Sequence, residues 1–110
     1  MDKIYNKLVR DKIPEIITDT GEEPIFRILS DKEYKVELEK KLLEECNEAI
    51  ASSCAEERLK ELADVLEVLI SLTSLENKAL PDIMEIAAVK KAERGGFEKK
   101  VFLEGTIAAK

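Results

Sequence analysis

Two long stretches of the chain repeat apolar residues at helical spacing, and a tight break separates them. Between Asp31 and Ala51, Tyr34, Leu38, Leu42, Cys46 and Ala49 share one face when each residue advances about 100° around a helix axis. Ser30 and Glu33 precede this run at the spacing of a capping box, which predicts where the helix starts. Ser53 and Glu56 repeat that spacing ahead of a second helix, Ala55 to Leu75. Its apolar positions from Leu59 to Leu72 cover most of the circumference and leave a polar strip at Lys60, Glu67, Ser71 and Ser74. A helix apolar nearly all round belongs at the centre of a bundle or at a subunit interface. The short break between the two helices implies an antiparallel hairpin.

The flanking segments are shorter. Asp11 is set to cap a brief helix through IPEII, with Pro14 in its first turn and Gly21 as its stop. Pro24 then leads into IFRIL (25–29), a β-favouring run read as extended. Pro81 and Asp82 open another helix, which Gly95-Gly96 ends. FEKKVFLEG follows as an extended tail, with Phe97 and Val101 available to pack back. The expected fold is all-α: an antiparallel hairpin plus flanking helices in a four-helix-bundle-like core, with short extended N- and C-terminal segments. With 110 residues and no repeat or flexible linker, residues 1–110 are expected to form a single helical domain.

Carboxylates interrupt the apolar pattern at matching places. EECNE (44–48) sets Glu45 and Glu48 at i and i+3 on the first helix, and ELAD (61–64) does the same for Glu61 and Asp64 on the second. Glu45 projects into the apolar stripe with Glu48 at its edge, and Glu61 projects between Val65 and Val68. Counted outward from the turn, Glu45 and Glu61 reach nearly the same height, and Glu48 and Asp64 lie within about a turn of them. Four converging carboxylates are costly unless a cation sits among them. Oxygen-only ligation without histidine favours magnesium or manganese over zinc or iron. Two acid pairs of this kind also occur as solvated helix faces, but these flank one turn and lie among apolar neighbours.

Charge sharpens that picture. The net charge is −6, from 24 acids and 18 bases, which argues against a nucleic acid polymer as partner. Ten acids and four bases lie between Glu37 and Glu67, while both ends are basic. An acidic middle with basic ends suits a phosphate ligand bridged through a metal. Lys7, Arg10 and Lys12 near the start, and Lys90 with Arg94 at i and i+4, are the candidate phosphate contacts. A solvated surface, or a helix C-terminus favouring cations, accounts for each of them equally well.

Cys46 and Cys54 would lie about 12 Å apart on a continuous helix, too far for a disulfide. Without histidine they offer no zinc site, and both are read as small buried residues in a reducing compartment. No signal peptide or membrane-length apolar run is evident, so the expected location is cytoplasmic, with no membrane partner.

EECNE, the 12-residue gap and ELAD together resemble the EExxE…ExxD signature of the MazG-like, all-α NTP pyrophosphohydrolase superfamily. YNKLVRDKIPEII and KAERGGF resemble its phosphoribosyl-ATP pyrophosphohydrolase-like branch, and the likeness covers nearly the whole chain. The resemblance implies that Glu45, Glu48, Glu61 and Asp64 hold the metal, with Glu44 supporting them or orienting the attacking water. It implies that Lys90 and Arg94 face the phosphates, and ties Lys7 and Arg10 to them less closely. It also implies a homodimer or homotetramer of hairpins.

The resulting expectation is a Mg2+- or Mn2+-dependent hydrolase that splits a nucleoside triphosphate into monophosphate and pyrophosphate, as in house-cleaning of non-standard nucleotides. Phosphoribosyl-ATP hydrolysis is a rival within enzymes. A non-catalytic helical regulatory module is the rival outside them.

Overall fold

The computed structural model describes residues 2–109 and contains four α-helices: α1 (Ile13–Asp19), α2 (Asp31–Ala51), α3 (Ala55–Leu75) and α4 (Leu80–Arg94). No strand occurs among the described residues, so the all-α expectation holds. The chain divides into two compact units, one up to Ala79 and one from Leu80 onward.

In the first unit, α1 begins with Pro14 in its opening turn and ends at Gly21, whose φ of 91° lies in the left-handed region. Asp11 is not its cap. Lys12 holds that position in a helical conformation, and no side chain bonds the exposed amides. The IFRIL stretch forms neither helix nor strand, and Ile25, Phe26 and Ile28 are exposed. Arg27 is drawn instead onto the first turn of α2, where its guanidinium donates to both Glu33 oxygens at 3.2 and 2.7 Å.

The α2 capping box forms as the spacing predicts. The Glu33 amide donates to Ser30 Oγ at 3.2 Å, and the Ser30 amide donates to Glu33 Oε1 at 3.3 Å. At α3 the cap shifts by one residue. Ser53 gives its amide and its hydroxyl to the Glu57 carboxylate, at 3.3 and 3.1 Å. Cys54 becomes the last extended residue, and its Sγ accepts from the Glu57 amide at 3.5 Å. Both thiols are free; Cys46 is half-buried, but Cys54 is exposed because it caps a helix start.

α2 and α3 pack on each other as a hairpin, and its core is small: Leu38 and Ala49 on α2 and Val68 on α3 are buried. Thr73 is buried as well, its hydroxyl satisfied by the Leu69 carbonyl at 2.7 Å. Leu59, Leu62, Leu66 and Leu69 along α3 are exposed, so the all-round apolar character of this helix is not consumed by the hairpin.

The second unit holds α4 and an irregular tail. Gly95, at φ 84°, closes the helix by donating to the Lys91 carbonyl at 2.8 Å. A turn bonded from the Lys100 amide to the Phe97 carbonyl (3.1 Å) follows. Phe97 and Val101 are 97% and 83% exposed, so the expected packing of these two residues does not occur. No helix among the described residues is long and apolar enough to cross a membrane.

Candidate metal centre

Glu45 reaches the hairpin interior because it lies within the apolar stripe of α2, and it is only 6% exposed. Across from it, α3 presents Glu61 and Asp64 one turn apart, both half-buried. Glu45, Glu61 and Asp64 each offer an oxygen within 4.8 Å of the others. Within this cluster Glu45 Oε2 and Glu61 Oε2 are buried and have no hydrogen-bond partner. Leaving such atoms unpaired costs about 1–3 kcal/mol each, more when charged. A cation would satisfy both at once, so the donor set fits a hard divalent ion such as Mg2+ or Mn2+.

Glu48 was expected among the ligands but lies outside this triad. It is exposed at the edge of the α2 stripe, beside Glu45. It still influences the site. Burial pushes the Glu45 carboxyl above its ordinary range, Lys41 opposes that shift, and the Glu48 charge adds to it. Lys41 Nζ lies 3.3 Å from Glu45 Oε1 and 3.7 Å from Glu44 Oε1, which makes it the principal counter-charge within α2. Sequence reasoning passed over Lys41, although its i,i+4 spacing to Glu45 was the available signal.

The N-terminal segment contributes two more cations. Arg10 Nη2 donates to Asp64 Oδ1 at 2.7 Å, and Lys7 Nζ donates to Glu44 Oε1 at 3.4 Å. Arg10 is thereby placed on the acid cluster, and Lys7 on Glu44 beside it. A cleft of about 410 Å³ opens beside them, lined by Arg10, Tyr34, Leu38, Lys41, Glu45 and Asp64 among others. Its lining mixes apolar side chains with three cations, Arg10, Lys12 and Lys41, and four carboxylates, Asp11, Glu45, Asp64 and Glu67. Lys90 and Arg94 lie one turn apart on α4, exposed, in the second unit.

Comparison with known proteins adds little chemistry to this geometry. No family model matches the chain, and no solved structure matches it significantly. It is similar to an uncharacterized protein of Mycolicibacterium smegmatis, 44% identical over 54 residues that make up 49% of this chain. The match spans 55% of that relative's length.

Proposed function

We propose that the chain is a magnesium-dependent nucleoside triphosphate pyrophosphohydrolase that converts a triphosphate and water into a monophosphate and pyrophosphate. The observation that carries this reading is the Glu45–Glu61–Asp64 cluster with its two orphaned buried oxygens beside a cleft that Arg10, Lys12 and Lys41 also line. Those three residues would hold the cation, with Glu48 alongside. When bound, the ion supplies charge neutralisation at the phosphates and a water of lowered pKa.

The chain's own side chains do the rest. Lys41 offsets part of the upward shift that burial imposes on the Glu45 carboxyl. Arg10, with its planar pair of donors, contacts phosphate oxygens, and Lys7 adds charge at the same end. Glu44 supports the ligands or orients the attacking water in this scheme. Lys90 and Arg94 keep their assignment to the leaving pyrophosphate on the resemblance of KAERGGF alone. The exposed leucine row of α3 supports assembly as a homodimer or homotetramer. Free cysteines support a reducing, cytoplasmic setting.

The test is pyrophosphate release across a nucleotide panel that includes phosphoribosyl-ATP and modified triphosphates, with Mg2+ or Mn2+. Glu61→Gln and Asp64→Asn should abolish release while the helical circular dichroism is kept. Full activity in either variant overturns the site. Absence of release from every nucleotide overturns catalysis and favours the non-catalytic module.

A further inference from the structure

The ion pair between Arg10 and Asp64 links residues 54 positions apart, and it occupies a carboxylate of the candidate cation site. It is shallow: the two side chains are 58% and 41% exposed, so breaking it shifts an equilibrium by about fivefold or less. The backbone at Arg10 is better anchored, because its carbonyl accepts from the Ile13 amide at the start of α1 at 3.0 Å. Lys7 ties the same segment to Glu44. The guanidinium can therefore swing while its Cα stays in place. A divalent ion and a guanidinium sharing one carboxylate repel each other at a distance of a few Å. Arg10 also lines the cleft, together with Asp64 and Glu45.

We propose that Arg10 is an exchangeable arm of this site: it neutralises Asp64 when no divalent cation is bound, and it moves to an anionic phosphate group once one is. This rests on the reading of the acid cluster as a cation site. The arm makes cation and phosphate binding mutually reinforcing, because the incoming ion releases the donor that the anion needs. It also holds in check the negative charge that Glu45, Glu61 and Asp64 would otherwise accumulate.

Equilibrium binding tests this without turnover. Mn2+ binding to the nucleotide-free full chain is measured by calorimetry, followed by pyrophosphate binding at saturating Mn2+. Arg10→Gln should bind Mn2+ about two- to fivefold more tightly than wild type, since a competitor has been removed. The same variant should bind pyrophosphate about tenfold more weakly, since a charged donor has been lost. Arg10→Lys keeps the charge and should stay close to wild type for Mn2+. A residue that merely supported the fold would move both affinities in one direction. Equal or weaker Mn2+ binding by Arg10→Gln overturns the exchange, and so does unchanged pyrophosphate binding. If wild type binds no Mn2+, the cation site itself is refuted and the exchange falls with it.

Discussion

Glu45→Gln is expected to stabilise the metal-free protein and to remove its response to divalent cations. The substitution keeps the shape of a side chain that is 6% exposed, so no cavity forms. It removes a buried charge whose Oε2 has no partner and introduces an amide that can donate to the orphaned Oε2 of Glu61. Relieving the two atoms is worth about 2–3 kcal/mol together. Against this stands the ion pair to Lys41 at 3.3 Å, worth about 1 kcal/mol. The net gain is about 1–2 kcal/mol, or a rise in melting temperature of roughly 5–10 °C for a chain of this size. Wild type should gain about 2.7 kcal/mol at a cation concentration a hundred times its dissociation constant, and the variant far less. Thermal unfolding followed by circular dichroism, in EDTA and again in excess Mg2+, reads both effects. The order of stabilities should reverse between the two buffers. A variant that melts below wild type in EDTA and retains the full Mg2+ shift would refute the account of Glu45 as an uncompensated ligand.

Two further expectations concern the elements that frame the site. Arg27 and the Ser30 cap hold the Glu33 carboxyl at about 2, below its ordinary value of 4.5. The stability it contributes is present above pH 4.5 and lost as pH falls from there to about 2, so Glu33→Gln should flatten that part of an acid unfolding curve; an unchanged acid limb would exclude the capping box as its source. Gly21 sits at φ 91° with open space around it, so Gly21→Ala meets strain but no clash and should cost about 1 kcal/mol in urea unfolding. An unshifted urea midpoint would show that α1 does not depend on this turn.

The hairpin was legible because its signals are local. The Ser30–Glu33 cap and the apolar stripe fix both ends of α2, and the same stripe exposes Glu45 as an acid where a hydrophobe belongs. Glu61 stands out on α3 for the same reason, and the two orphaned oxygens belong to these two residues. The α3 cap moved by one residue because the Glu57 side chain engages Ser53, a competition between neighbouring hydroxyl, thiol and carboxylate groups that spacing alone does not rank. The pairing of Arg10 with Asp64 had no local signal, because it depends on where an irregular segment lies once the hairpin exists. Glu48 already lay at the edge of the stripe in projection, and in the structure it is exposed. IFRIL had strand composition but, among the described residues, no neighbouring strand to pair with.

The three residues between α2 and α3, Ser52 to Cys54, connect two helices and also meter them. Adding or removing one residue there would break the bonds that hold the connection and change how far α3 starts from the end of α2, shifting Glu61 and Asp64 along the hairpin relative to Glu45. The connection is held against such slippage by Ser52 Oγ on the Ala49 carbonyl at 2.6 Å, by Glu57 on Ser53 and by Arg58 on the Ser52 carbonyl at 3.4 Å. Surface connections are ordinarily where chains accept insertions and deletions most freely. Here the opposite holds: Ser52 is buried, the connection is pinned at both ends, and the freedom to drift in length passes to the segments outside the hairpin.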